Sequence, residues 1–196
     1  MNLSNNTILI SGGTSRIGWA LGQALLKLNN TVILMGRNQQ KLNEAHQAGF
    51  ETISCDLSQQ QEIEEASVTI QNKYPHLNML FNNAGVQHNY DFTESVIPIH
   101  KIAQEININV TGQIILTQLL IPLLDHNQNA FIINTTSGLG AFPKSDGLVY
   151  SASKAAMRNF TVGLRYNLKK NGICVLEFMP PVTDTNMTAG RDEQKM

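Results

Sequence analysis

The sequence predicts an α/β protein built on one doubly wound parallel sheet. Short apolar runs, typical of buried strands, alternate with longer segments whose apolar residues recur at helical spacing. A glycine-rich turn joins the first strand to the first helix. A chain of 196 residues with 42% hydrophobic content suits a single domain, 1–196. Such alternation favours helices on both faces and the strand order 3-2-1-4-5-6.

The first predicted strand, 7–10, leads directly into the turn S-G-G-T-S-R-I-G at 11–18. A helix is predicted beyond it from apolar residues at helical spacing. The amino end of a helix offers unpaired N–H groups and a partial positive charge, and glycines let a phosphate approach the backbone. The turn is therefore a predicted site for a dinucleotide pyrophosphate.

The second predicted strand, 31–35, is followed by Gly36 and Arg37. At this position an acidic residue binds the 2′-hydroxyl of NAD, whereas an arginine accommodates the 2′-phosphate of NADP. Arg37 therefore favours NADP, and a plain surface arginine is the alternative. After the third strand, 50–55, either Asp56 or Ser58 is suited to cap the next helix.

Three further strands are predicted over 77–81, 130–136 and 173–179. The segment N-N-A-G follows the first of them at 82–85, where small residues permit a close approach to the backbone. A long helix with an apolar face is predicted within 91–125.

A hydroxyl, a phenol and an amine follow the fifth strand. Tyr150 and Lys154 are four residues apart and share a helix face, so an ammonium lies beside a phenol. A neighbouring positive charge favours phenolate and brings a group that titrates near pH ~10 closer to neutrality. Ser137 ends a strand and is able to face a tyrosine at the start of a helix. This arrangement predicts a device for proton transfer to a carbonyl oxygen.

The same spacing occurs a second time in the chain. Tyr166 and Lys170 are also four residues apart, and Ser153 precedes Tyr166 by the thirteen residues that separate Ser137 from Tyr150. All three lie in one predicted helix, where thirteen residues span about 20 Å, so they cannot converge. We interpret this second set as solvated helix surface.

These motifs resemble those of the short-chain dehydrogenase/reductases. The segment P-P-V-T-D-T at 180–185, with T-A-G-R-D-E-Q after it at 188–194, resembles the bacterial DltE-type branch of that family. The resemblance implies a Rossmann-like domain, a catalytic set of Ser137, Tyr150 and Lys154, and a helix asparagine, Asn109, that positions a water for proton relay; Asn107 matches less well. It also implies that an aspartate, Asp56, contacts adenine. The implied cofactor-binding residues are Gly12, Thr14, Ser15, Ile17, Gly18, Arg37, Asp56, Leu57, Asn83, Ala84, Gly85, Tyr150, Lys154, Pro180 and Thr185.

The chain departs from the pattern of that family at three places. Arg16 stands where the family has its middle glycine, and Pro181 stands in another glycine position. A side chain at 16 is expected to clash or to require an unfavourable φ, which favours impaired binding; a bidentate contact to a phosphate is the alternative. The substrate lid and further strand of the family are not expected after about residue 186.

The implied activity is reversible hydride transfer between NADP(H) and a carbonyl or alcohol substrate. The alternative is a non-catalytic subunit that keeps the fold but binds the cofactor poorly. By the same resemblance, helices within 98–125 and 150–171 are expected to pair into a homodimer or homotetramer.

Composition excludes several other classes of function. A net charge of −1 and a pI near 6.5 argue against nucleic acid or an anionic membrane as partners. The amino terminus lacks the regions of a signal peptide, and uninterrupted apolar runs are too short for a span, so a cytoplasmic protein is expected. Cys55 and Cys174 lie in apolar runs and are expected to be buried thiols, and no metal-ligand spacing occurs.

Overall fold

The computed structural model describes residues 2–90, 92–93, 99–127 and 129–181. Its centre is a parallel sheet in the order β3-β2-β1-β4-β5-β6, which confirms the predicted fold class and strand order. The strands are β1 (Thr7–Ser11), β2 (Thr31–Gly36), β3 (Glu51–Ser54), β4 (Leu77–Asn82), β5 (Phe131–Thr135) and β6 (Cys174–Phe178).

Helices cover both faces of the sheet. They are α1 (Arg16–Leu26), α2 (Gln39–Gln47), α3 (Gln60–Lys73), α4 (Ile99–Ile106), α5 (Gly112–His126) and α6 (Leu148–Asn167). Residues of α1 and α2 pack in one core cluster, and residues of α3, α5 and α6 pack in the other. Alternate residues of a central strand supply both clusters: Leu9 belongs to one, and Ile8 and Ile10 belong to the other. Burial on both faces explains why the strands are continuous apolar runs.

The predicted long helix is two helices joined by one π-helical turn, Asn107–Thr111. By length and composition alone, the helical stretch Ile99–His126 is long and apolar enough to cross a membrane, which is weak support for a span because core helices pass the same test. Leu116, Leu120 and Leu124 of α5 are fully buried in the core, as expected for a helix that packs on a sheet. Part of the predicted segment, 91 and 94–98, lies outside the described residues.

Two expectations about burial are wrong. Cys55 is buried, but Cys174 is exposed, because it is the first residue of the edge strand β6. Ser153 is buried, although the second Ser-Tyr-Lys set was expected at the helix surface. Ser153 faces the neighbouring helical segment at Asn109, whereas Tyr166, thirteen residues further along α6, is 76% exposed.

Candidate active site

A cleft of about 920 Å³ runs along the carboxyl edge of the sheet. Residues that immediately follow each of the six strands line it, as expected for an open α/β sheet. One representative per strand, in chain order, is Gly12, Arg37, Cys55, Asn83, Thr136 and Met179. The topology therefore gathers side chains that are far apart in the sequence.

The glycine turn after β1 is packed too tightly for side chains. Gly12 has a φ of +63°, and a Cβ there would lie 2.7 Å from the Cα of Ala84. A Cβ on Gly18 would lie 2.6 Å from the carbonyl oxygen of Gly12. These contacts explain both glycines by close approach of backbone to backbone.

The segment N-N-A-G is fastened to this turn. The hydroxyl oxygen of Ser11 accepts hydrogen bonds from the main-chain N–H groups of Asn83 and Ala84, at 3.0 and 3.1 Å. The Asn83 amide donates to the carbonyls of Ser11 and Gly12, at 3.1 and 3.3 Å. The turn and the end of β4 thus form one rigid wall of the cleft.

Arg16, in the middle-glycine position, adopts the left-handed backbone conformation. Its φ is +55°, it begins α1, and it is exposed on the cleft wall. This is the unfavourable φ that the sequence led us to expect, and such a conformation costs an L-residue about 1–2 kcal/mol. The backbone at this position therefore has the conformation that favours glycine, although the residue is arginine.

The end of β2 carries an ion pair rather than a free arginine. The Arg37 guanidinium lies 3.2 Å from the carboxylate of Asp56. Burial acts to raise the pKa of Asp56, but hydrogen bonds from Ser58 and the charge of Arg37 outweigh it, so the pKa is lowered. Asp56 accepts from the N–H and the hydroxyl of Ser58, both at 2.9 Å, and so shapes a turn, while the N-cap of α3 is Gln59. Neither expected helix cap, Asp56 or Ser58, is observed.

The Tyr-Lys pair lies at the other end of the cleft, on the first turns of α6. Lys154 is buried, and its ammonium donates to the main-chain carbonyl of Thr135 at 2.9 Å. The same nitrogen lies 5.7 Å from the ring centroid of Tyr150, which is also buried. Burial disfavours the charged form and lowers the pKa of Lys154 from 10.5 to about 8.

Ser137 reaches the same cleft from β5. Its hydroxyl oxygen accepts from the N–H of Leu139 at 3.2 Å and caps a short 3-10 turn, Gly138–Gly140. A Cβ on Gly140 would lie 2.9 Å from backbone atoms of Lys154 and Ala155. Because Gly140 lacks a side chain, this turn packs directly on α6 and holds Ser137 beside the Tyr-Lys pair.

Asn109 lies in the π-helical turn and is fully buried. Its side-chain oxygen accepts from the N–H of Val86, and its amide donates to the carbonyl of Val86, both at 2.8 Å. The amide also donates to the hydroxyl of Ser153 at 3.0 Å. Asn107, the weaker match for the same role, is exposed, so the two asparagines have different environments.

Gly85 sits between the asparagine and the lysine. A Cβ at this position would lie 3.5 Å from the Asn109 side-chain oxygen and 3.7 Å from the Lys154 ammonium. Both would be ordinary van der Waals contacts, so Gly85 lies close to both polar groups at the cleft.

The cleft contains most of the predicted residues. Gly18 and Asn109 lie behind its wall, and Thr185 lies outside the described residues. The predicted residues that line it are Gly12, Thr14, Ser15, Ile17, Arg37, Asp56, Leu57, Asn83, Ala84, Gly85, Ser137, Tyr150, Lys154 and Pro180. Lining residues that were not predicted include Lys41, Gln87, Phe142 and Met179. Among the described residues, no group of three His, Cys, Asp or Glu side chains could hold a metal ion.

Sequence reasoning missed a buried polar network behind the cleft. The Asn82 amide donates to Asn134 at 2.8 Å and to Thr117 at 2.7 Å, and the Asn134 amide donates to Thr161 at 2.9 Å. The Gln113 amide donates to the carbonyl of Ala84 at 2.6 Å. The signal was available, because an asparagine within an otherwise apolar strand must find a partner.

Fold and site together define an oxidoreductase of the Rossmann-like class: a glycine turn at the first helix and a buried Tyr-Lys pair share one sheet edge. The sequence model of the family described as short chain dehydrogenase matches residues 6–196. The chain belongs to this family, whose members use nicotinamide cofactors.

Individual relatives agree with this assignment. The chain is 36% identical over 197 residues to the uncharacterised oxidoreductase DltE of Bacillus subtilis, covering 99% of this chain and 78% of that protein. It is 28% identical over 187 residues to an uncharacterised oxidoreductase of Staphylococcus epidermidis, covering 94% and 80%. The similarity to DltE confirms the branch that the sequence resembled.

Solved structures show the same fold. A short-chain dehydrogenase from Streptomyces avermitilis superimposes with a TM-score of 0.86 at 27% identity, covering 94% of this chain and 68% of that one. The L-sorbose reductase of Gluconobacter frateurii, solved with NADPH and L-sorbose, gives 0.85 at 22% identity, covering 95% and 73%. At that identity the second likeness concerns the fold alone.

Proposed function

We propose that this chain is an NADP-dependent oxidoreductase that catalyses reversible hydride transfer between the cofactor and a carbonyl or alcohol substrate. The observation that carries the proposal is the buried Lys154 beside Tyr150, on the cleft that Ser137 also lines. A buried lysine with a shifted pKa in a cleft is typical of a functional site.

The residues present have distinct proposed tasks. Tyr150 gives or takes the proton of the substrate oxygen, and Ser137 donates a hydrogen bond to that oxygen. Lys154, charged below a pKa of about 8, stabilises the phenolate form of Tyr150 and binds the cofactor ribose. Asn109 fixes Val86, and with it the neighbouring Gly85, against α6; the relay water implied by the resemblance remains part of the proposal.

The cleft suits a dinucleotide. When bound, NADP(H) supplies or accepts the hydride at its nicotinamide ring. The turn at Gly12 lines the cleft and presents the N–H groups at the start of α1 to a pyrophosphate, and Gly85 lies near the Lys154 ammonium. Arg37 and Lys41 place cations at the end of β2, which supports NADP over NAD.

Calorimetric titration with NADPH and NADH tests the cofactor assignment. We expect NADPH to bind in the micromolar range and more tightly than NADH. Arg37→Ala should reduce the difference in affinity between the two cofactors. Lys169→Ala is the matched control, since Lys169 is exposed and lies away from the cleft. Tighter binding of NADH by the unaltered chain would contradict the NADP assignment.

A second candidate is a non-catalytic subunit of the same fold. Arg16 supports it, because its side chain lies on the cleft wall at the middle-glycine position, where a dinucleotide pyrophosphate approaches the backbone. In this case neither cofactor binds until Arg16 is replaced by glycine, and the same titration distinguishes the two candidates.

We also propose a homodimer or homotetramer in the cytoplasm. Val162 and Tyr166 of α6 and Ile99 of α4 are exposed large apolar residues, as expected for helices that pair between subunits. Sedimentation is expected to show a dimer or tetramer at micromolar concentration, and a monomer alone would contradict the assembly. Cell fractionation tests the location.

A further inference from the structure

The last strand of the sheet contains a carboxylate that the proposed mechanism does not use. Glu177 is the one charged residue of β6, whose sequence is C-V-L-E-F. Its side chain is 24% exposed and therefore mostly covered. A carboxylate in such a position requires hydrogen-bond or ionic partners, because removing it from water without them is costly. Its partners therefore indicate what Glu177 does.

The partners of Glu177 come from the end of β5 and from α6. Its Oε1 atom accepts a hydrogen bond from the hydroxyl of Thr136 at 2.8 Å. The same oxygen lies 3.7 Å from Nε of Arg158, whose side chain is 46% exposed. Because a hydrogen bond to an ionised acceptor is strong, whereas an exposed ion pair contributes little, the bond to Thr136 is the more important contact.

Thr136 connects this carboxylate to the candidate active site. It follows the last residue of β5, directly precedes Ser137, is 1% exposed and lines the cleft. Its main-chain N–H donates to the carbonyl of Phe178 at 2.9 Å, just beyond the last paired residues of β5 and β6. Both the main chain and the side chain of Thr136 are thus bound to β6 immediately before Ser137.

The 3-10 turn after Ser137 is held mainly by bonds within itself. The hydroxyl of Ser137 accepts from the N–H of Leu139 at 3.2 Å, and the N–H of Phe142 donates to the carbonyl of Gly138 at 3.0 Å. These internal bonds fix the shape of the segment rather than its position on the sheet. Its position depends on Thr136 on one side and on the packing of the turn against α6 on the other.

We propose that Glu177 is a positioning residue for the reaction: by holding Thr136, it fixes the direction in which Ser137 presents its hydroxyl to the substrate oxygen. Glu177 does not line the cleft, so it acts through Thr136. Arg158, four residues after Lys154 on α6, joins the carboxylate to the helix that carries the Tyr-Lys pair. This inference rests on the proposed function, because the direction of Ser137 matters for the reaction assigned to it there.

Four variants separate the contacts of Glu177. Glu177→Gln keeps an oxygen acceptor for Thr136 and removes the charge, whereas Glu177→Leu removes both contacts. Thr136→Val replaces the donor hydroxyl by a methyl group, and Thr136→Ser retains it. Thr161→Val is the matched control, because Thr161 is a fully buried threonine that bonds to Met157 and lies away from the cleft.

Amide hydrogen exchange of the cofactor-free chain, read by NMR, tests the structural step. Glu177→Leu and Thr136→Val should speed exchange of the N–H groups of Leu139 and Phe142 by about tenfold, the equivalent of one lost hydrogen bond. Glu177→Gln and Thr136→Ser should leave these rates nearly unchanged, as should Thr161→Val.

Steady-state oxidation of NADPH, with benzaldehyde, cyclohexanone and glyceraldehyde as probes, tests the functional step. Glu177→Leu and Thr136→Val should lower kcat by about tenfold, less than the 10²- to 10³-fold that loss of an oxyanion donor costs. KM and the calorimetric affinity for NADPH should stay within about twofold, well below the tenfold that 1.4 kcal/mol represents. The two conservative variants should retain kcat, which a general loss of stability would not explain.

Other outcomes overturn the inference. Unchanged exchange in Glu177→Leu means that the carboxylate does not hold the turn. Faster exchange with an unchanged kcat makes the contact a structural one alone, and an equal loss of kcat in Thr161→Val assigns the effect to general destabilisation. If the unaltered chain reduces none of the probes, the proposed function fails for them, and the exchange rates still decide whether Glu177 positions Ser137.

Discussion

The ammonium of Lys154 donates a hydrogen bond to the main-chain carbonyl of Thr135, 2.9 Å away, at the last residue of β5. This bond ties the helix that carries Tyr150 to the strand that precedes Ser137. The same lysine is buried, so its charge is held with few partners in a region of low dielectric constant. Burial of the ammonium lowers the free energy of unfolding, and it places a positive charge beside the phenol of Tyr150.

That cost predicts a pH dependence of folding in the cofactor-free chain. Burial lowers the pKa of Lys154 from 10.5 to about 8, so between these values the unfolded chain binds more protons than the folded one. The contribution of Lys154 to the free energy of unfolding should therefore rise with pH across this window and stay constant at its lower value below about pH 8, while Cys55 and Tyr74, whose pKa values burial raises, act in the opposite direction at the upper end of the window. Lys154→Met should remove the rise, which amounts to roughly 3 kcal/mol for a shift of this size.

Urea unfolding at a series of pH values measures the effect. Lys170→Met is the control, because Lys170 is exposed and should leave the slope unchanged. If the free energy of unfolding changed with pH equally in Lys154→Met and in the unaltered chain, burial of the charged lysine would not destabilise the fold.

The duplicated Tyr-x-x-x-Lys spacing supplies an internal control for catalysis. Tyr150→Phe removes the proposed proton donor and should lower turnover by about 10²- to 10⁴-fold, the usual contribution of general acid–base catalysis. NADPH affinity should be nearly unchanged, because the ring remains. Tyr166→Phe should leave both quantities unchanged, since Tyr166 is 76% exposed on the same helix.

The measurement is oxidation of NADPH, followed by absorbance, with a panel of carbonyl compounds. Similar losses in the two tyrosine variants would contradict the assignment of the catalytic residue.

The two neighbouring asparagines predict opposite behaviour. Asn109→Ala would leave the N–H and carbonyl of Val86 without their observed side-chain partner and would remove the hydrogen bond that the hydroxyl of Ser153 accepts. Since an unsatisfied buried polar group costs about 1–3 kcal/mol, we expect a loss of several kcal/mol in the free energy of unfolding. Asn107→Ala, at an exposed position, should change it by less than about 0.5 kcal/mol. Denaturant midpoints at equal m-values compare the two, and equal losses would refute the role of the Asn109 contacts.

Two helical glycines should respond to alanine with opposite signs. A Cβ on Gly112, at the start of α5, would overlap the carbonyl oxygen of Leu57, a residue of the cleft. Gly112→Ala should therefore destabilise the chain by about 1–3 kcal/mol, as overpacking does. Gly163→Ala in α6 meets nothing within 4 Å and should stabilise it by up to about 1 kcal/mol through helix propensity. Thermal unfolding provides the readout, and a stabilising Gly112→Ala would show that the two backbones separate easily.

Much of the fold and the position of the site followed from the sequence, because residues at strand ends converge once the sheet is parallel. The run that ends at Ser137, the segment after β4 and the turn before α1 each placed polar or small residues directly after an apolar strand. The structure confirmed the predicted strand order, and the match to the family's sequence model confirmed the family.

What the sequence did not reveal depends on contacts between side chains of different elements. The pairing of Arg37 with Asp56 joins the ends of two neighbouring strands, and either residue alone is suited to a cofactor. Ser153 looked like surface because helical spacing gives no indication of a neighbouring segment. Cys174 lies in an apolar run, but edge strands leave one side open, so burial cannot be deduced from hydropathy.

The π-helical turn at Asn107–Thr111 also fixes the phase of the helix that follows it. One additional residue in a helical turn rotates everything beyond it by about 100° around the axis. Upstream and downstream faces of the stretch Ile99–His126 are thereby set independently, so Asn109 faces the site while Leu116 and Leu120 face the core. Deletion of a single residue here would leave the segment helical but would rotate the downstream part about the helix axis. The face that packs on the core and the face that meets the site would then no longer have the correct relative orientation.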